Sequence, residues 1–271
     1  MRTKFWQLGL LSLIIIIGAS CVAFPFQQQV FRSSNSTSTI LVAAAASLQK
    51  SLQEITPLYI KGNRDRSVNY NFAASGALQQ QIERGAPVDI FISAADKQMN
   101  DLKAKGLLAS GTYRDLLTNQ LVLIVPKQST ANITDFGQLD RSQIQRIAIG
   151  EPRSVPAGQY ATEVFKNLGI FDRLKSKFVL ASNVRAVLTA VETGDADAGV
   201  VYLTDAKSSD KIAIVATADP KLHTPIRYPI AVLKSSKSPV ASQQYIEFLQ
   251  SKSARDIFRK YGFGIAKSSS K

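Results

Sequence analysis

The 271-residue chain holds one cysteine, Cys21, and one histidine, His223. A single cysteine excludes an internal disulfide and any cysteine-cluster zinc or iron–sulfur site. A single imidazole argues against a histidine-built metal centre or a Cys–His dyad. Carboxylates remain, so counting alone leaves hard-cation binding open. The signatures of serine acylation are incomplete. Ser47-Leu48-Gln49-Lys50 satisfies S-x-x-K, but its Ser-Asp-Asn and Lys-Thr-Gly companions are absent, as is the G-x-S-x-G nucleophile elbow. Ser47 as a nucleophile activated by Lys50 is therefore a distant catalytic alternative. Acidic residues are the minority, 20 Asp plus Glu against 33 Lys plus Arg, for a net charge of +13. That balance suggests an anionic partner without naming it. The basic residues are scattered, as Lys207, Lys211, Lys221, Arg227 and Lys234 are, rather than clustered with aromatics, so no nucleic-acid partner is expected. A composition 45% hydrophobic and 20% charged excludes long disorder, and the length accommodates one large domain or two lobes.

The one long apolar run stands at the start. Arg2 and Lys4 precede it, and Gly18-Ala19-Ser20 lead into Cys21. This is the layout of a secretory signal over residues 1–20. It also resembles a lipoprotein signal, in which Cys21 is lipidated, although Gly18 stands where such signals favour leucine. Cleavage after Ala23 and an uncleaved anchor over about 8–26 are the alternatives. Residues 27–39 are polar and of low complexity, and 21–39 is expected to be a flexible tether.

From Ile40 onward, short apolar runs alternate with helical spacing. Strands are expected at 40–44, 67–72, 89–93, 120–125, 146–149, 177–180, 198–203, 212–216 and 226–233. Helices are expected at 48–61, 78–83, 158–168, 184–193, 240–250 and 254–261. Such alternation implies an α/β protein with mainly parallel sheets. Two Rossmann-like lobes fit the strand count better than one sheet, with residues 40–119 plus 231–271 in lobe 1 and 120–230 in lobe 2. The strands near 120–125 and 226–233 would cross between them, and a ligand would sit in the interlobe cleft.

The strand-to-helix junctions carry the chemistry. Ser47 follows four alanines, Ser75 follows Phe72-Ala73-Ala74, Val155-Pro156-Ala157-Gly158 opens a third helix, and Ser182-Asn183-Val184 a fourth. Serine and asparagine are helix caps, so plain capping explains any one junction. Helix starts also carry unpaired N–H groups and the positive end of a dipole, and small neighbours let a ligand approach them. Four converging on one cleft would hold an oxyanion without a cationic side chain. Asp195 and Asp197 read as a polar turn, and His223 as a loop residue.

In order along the chain stand AAAASL (43–48), FAASGALQQQIERGAPVDIFISAAD (72–96), VPAGQYA (155–161), NVRAVLTAVETGDADAGVVYLTDA (183–206) and KYGF (260–263). With these blocks the chain resembles the molybdate-binding proteins of bacterial ABC transporters, which are class II solute-binding proteins. The resemblance implies a two-lobed periplasmic-binding-protein fold and an extracytoplasmic receptor without a cofactor, for which molybdate or tungstate is the cargo. It further implies a monomer that serves a membrane permease and is not an enzyme. By motif, Ser47 and Ser75 would offer hydroxyl and backbone N–H groups, Ala157 and Val184 backbone N–H groups, and Tyr202 its phenol O–H. Such a set of donors suits a dianion that carries no proton and disfavours protonated phosphate. A sulfate or broader oxyanion receptor is the alternative within the class. Arg153, just before VPAG, departs from a neutral donor set and would be an accessory charge if it reached the cleft.

Overall fold

The computed structural model describes residues 38–267. The signal, Cys21 and the tether up to residue 37 lie outside the described residues. The strands are β1 (Ser38–Ala45), β2 (Arg66–Ala73), β3 (Ile90–Ile92), β4 (Arg114–Thr118), β5 (Leu121–Pro126), β6 (Ile147–Gly150), β7 (Phe178–Ala181), β8 (Ala198–Tyr202), β9 (Ile212–Thr217), β10 (Arg227–Val232) and β11 (Gly264–Ile265). The helices are α1 (Gln49–Gly62), α2 (Ser75–Glu83), α3 (Asp96–Ala104), α4 (Pro156–Asn167), α5 (Phe171–Leu174), α6 (Val184–Glu192), α7 (Leu203–Ala206), α8 (Pro239–Leu249) and α9 (Lys252–Lys260). None of these helices is long and apolar enough to cross a membrane.

Two sheets form, one per lobe, with strand orders β11-β4-β10-β3-β1-β2 and β7-β6-β8-β5-β9. β6 and β8 are buried along their whole length, so they read as unbroken apolar runs instead of alternating ones. The two-lobed α/β architecture matches expectation, but the sheets are mixed rather than mainly parallel. β1–β2, β1–β3, β6–β7 and β6–β8 are parallel pairs joined through crossover helices. The antiparallel partners are the strands where the chain leaves one lobe or returns to it. β5 runs against β8 and β9, and β10 against β3 and β4. A strand that enters from the other lobe needs no crossover helix and is free to pair in the opposite sense.

Neither crossing is one long strand. β4 and β5 are separated by Asn119 and Gln120, and β9 reaches β10 through residues 218–226. Asn119 N–H donates to Ile226 O at 3.3 Å, which ties the two crossings together. In β10 the register shifts between Tyr228 and Pro229. A bulge tolerates the N–H that proline lacks and re-aims the neighbouring side chain. Buried Asp89 organises the turn after β10, accepting from Leu41 N, Ser236 Oγ and Lys237 N at 2.8, 2.6 and 3.0 Å.

Close packing delivers α4 to the cleft. A Cβ on Gly158 would lie 1.9 Å from Gly150 O, so only glycine lets the first turn of α4 rest on the end of β6. The elements missed in the sequence are α3, β4 and the short α5, α7 and β11, of which α3 and β4 are the longest. Their sequences, DKQMNDLKA and RDLLT, carry too few apolar residues to show a period.

Candidate functional site

Four junctions at the carboxyl ends of β1, β2, β6 and β7 meet between the lobes. They enclose a cavity of ≈ 210 Å³ lined by Ser47, Ser75 and Ala94 from the first lobe and by Ala157, Val184 and Tyr202 from the second, with small residues such as Ala45 and Ala74 between. Among the described residues, no lysine, arginine or carboxylate lines it.

The two serines are not caps. α2 begins with Ser75 itself, its N-cap is Ala74, and no side chain caps it. The 3₁₀ turn Ala46–Leu48 that leads into α1 also lacks a side-chain cap, as does α4, whose N-cap is Val155. Only the fourth junction is capped, with Asn183 Oδ1 accepting Ala186 N–H at 3.1 Å. At these three starts no side chain caps the first turn, although Gly76 N–H is taken up by Ser154 O, and their dipole ends lie at the cavity.

Ser75 is 0% exposed, and its Oγ accepts the Ala94 N–H at 3.0 Å, which leaves the hydroxyl proton for the cavity. Ser47 Oγ stands 2.9 Å from the Tyr228 phenol. Tyr202 O–H points to Ala94 O at 3.3 Å, a long bond that an anion in the cavity could replace. Burial holds the Tyr202 pKa well above the ordinary phenol value, so this group remains a donor.

The lobes touch around the cavity. Gly76 N–H donates to Ser154 O at 2.9 Å, and Lys50 Nζ to Ser208 O at 2.8 Å. Lys50 thus reaches across to the second lobe, while Ser47 bonds to Tyr228, and the Ser47–Lys50 pairing needed for a nucleophile is not made. A larger cleft of ≈ 870 Å³ lies nearby, lined by Asp96, Tyr160, Glu163 and Arg227 among others. Its carboxylates, Asp96 and Glu163, offset Lys97 and Arg227, so the lining offers an anion no net positive charge.

All five of the residues singled out by motif, Ser47, Ser75, Ala157, Val184 and Tyr202, line the small cavity. Arg153 does not. Its side chain is 88% exposed and pairs with Glu151 at 3.1 Å, so it is a surface loop residue and the conditional accessory role does not arise. Asp197 accepts the N–H groups of Gln145 and Arg146, as befits a turn residue. No local signal marked Asn119, Tyr228 or Asp205 as neighbours of the site, except that proline after Tyr228 signals an irregular strand.

Asp205, in α7, is 1% exposed, and neither carboxylate oxygen has a hydrogen-bond partner. The nearest cation, Arg185, is 3.8 Å away. Burial pushes the Asp205 pKa up from 3.8 to about 7. Between those values the folded state binds more proton than the unfolded chain, so stability falls as pH rises and levels off above about 7. Urea midpoints at a series of pH values should show this decline in the parent and a flatter profile in Asp205→Asn. Equal slopes would refute the assignment.

Comparison with known proteins adds an independent line. The bacterial extracellular solute-binding protein family matches residues 40–264. The chain is 42% identical over 225 residues to YvgL of Bacillus subtilis, named an ABC transporter substrate-binding lipoprotein, covering 83% of this chain and 86% of that protein. It is 36% identical over 227 residues to the molybdate-binding protein ModA of Haemophilus influenzae, covering 83% and 89%. A solved substrate-binding domain from Clostridium difficile, described as belonging to a molybdenum ABC transporter, is 43% identical with a TM-score of 0.66, covering 84% and 99%.

Proposed function

Because the chain belongs to the bacterial extracellular solute-binding proteins, we propose that it captures molybdate, and tungstate with it, and delivers the anion to the permease of an ABC transporter. The observation that supports this reading is the cavity wall, to which both lobes contribute hydroxyl-bearing and helix-start residues and, among the described residues, no cation or carboxylate. Such a site suits a dianion without protons of its own, since every ligand oxygen meets a donor. A phosphate that carries a proton would set its O–H against a donor. Sulfate has the same charge and is rejected by pocket size.

The protein works as a receptor and not as an enzyme, as a monomer outside the cytoplasmic membrane. Its lobes, 40–119 with 231–271 and 120–230, close over the anion by bending at the two crossings. The relative YvgL is named a lipoprotein, which supports mooring through a lipidated Cys21 and the tether that follows.

Calorimetric titration of residues 38–271 with molybdate, tungstate, sulfate and phosphate tests the reading. Tight binding of the first two alone is expected. Sulfate binding as tight as molybdate would recast the protein as a broader oxyanion receptor, and silence with all four would overturn the function.

A further inference from the structure

Asn119 and Tyr228 stand behind the cavity and are not part of its wall, yet their hydrogen bonds form a directed chain. Asn119 Oδ1 accepts the Gln120 N–H at 2.9 Å, which fixes the orientation of the amide. Its nitrogen, which can only donate, reaches Thr204 Oγ1 at 3.0 Å and the Tyr228 phenol oxygen at 3.1 Å. Tyr228 is 0% exposed and lies 2.9 Å from Ser47 Oγ. Burial raises its pKa well above the ordinary phenol value, so the phenol keeps its proton. With the acceptor side claimed by Asn119, that proton goes to Ser47 Oγ. Ser47 cannot then give its own proton to Tyr228, and the hydroxyl proton is left for the cavity. Ser75 has a donor behind it in the same way, the Ala94 N–H.

We propose that Asn119 and Tyr228 are specificity-determining positioning residues, whose relay holds the Ser47 hydroxyl as a donor and so favours a fully ionised oxyanion over one that carries a proton. A ligand with its own O–H is best received by Ser47 as an acceptor with its proton turned back to Tyr228. That arrangement reverses the relay, and the Asn119 nitrogen has no lone pair with which to complete the reversal.

The inference rests on the oxyanion-receptor reading, and titration of the wild type beside three variants separates the two. Asn119→Asp keeps the size of the side chain but puts an acceptor where the donor was. Tyr228 then turns its proton to the new carboxylate, Ser47 turns to Tyr228, and the anion meets a lone pair. Molybdate affinity should fall roughly 10- to 150-fold. Tyr228→Phe cuts the relay, so affinity should fall only about 2- to 10-fold, while discrimination against phosphate, read by competition, narrows by about the same factor or more. The double variant should bind like Tyr228→Phe alone. Such non-additivity is the mark of a relay, because the charge of a carboxylate at position 119 would repel the anion with or without the phenol. Losses that multiply in the double variant, or parental discrimination in Tyr228→Phe, overturn the proposal. Circular dichroism melts check that each variant is folded. A wild type that binds no oxyanion overturns the receptor reading instead.

Discussion

Ser75→Ala should weaken molybdate binding by about 1.5–3 kcal/mol, the range for a hydrogen bond to a charged group, which is roughly 10- to 150-fold in affinity. The hydroxyl is fully buried, so no water can take its place without enlarging the cavity. Its loss also strands the Ala94 N–H, which has Ser75 Oγ as its acceptor. Part of the effect will therefore appear as lower stability, and a urea titration run alongside the calorimetry separates the two. Ser47→Ala and Tyr202→Phe should each cost a similar amount of binding. If all three variants bind like the parent, the cavity is not the anion site.

Gly76→Ala tests closure without removing a donor. Alanine keeps the backbone N–H that bonds Ser154 O, but its Cβ would lie 2.6 Å from that oxygen and 2.8 Å from Ser154 Cα. Both are backbone atoms of the opposing lobe and cannot step aside as a flexible side chain would. Overpacking of this kind costs about 1–3 kcal/mol, and here it falls on the closed arrangement alone. Affinity should drop roughly 5- to 150-fold because the binding-competent state is less populated. Urea stability should change less than affinity does. Parental affinity in this variant would mean that the lobes need not approach as closely as Gly76 and Ser154 do.

The first prediction concerns residues that stood out before any fold was known, whereas Gly76 is marked only by its contact with Ser154 in the folded chain. Ser47 and Ser75 are marked by an apolar strand, two or more small residues, a hydroxyl and then helical spacing. That pattern is local, because helix starts and their unpaired N–H groups are decided within a few residues. The same locality misled in one respect. Serine at a helix start suggested a cap, but the structure places Ala74 in that position and Ser75 inside the first turn. Arg153 looked like a charge next to the donor turn, and only the folded chain turns it to Glu151 at the surface.

Strand alternation and the helix starts were thus legible in the sequence, since each depends on neighbours along the chain, whereas Tyr202 was named only through the family resemblance. The mixed sense of the sheets, the split crossings and the closeness of Gly76 to Ser154 were decided by tertiary structure. So was the direction of the Ser47 hydroxyl, which depends on Tyr228, 181 positions away. A hydroxyl is donor and acceptor at once, and which role it plays is settled by the group behind it, which only the assembled fold puts there.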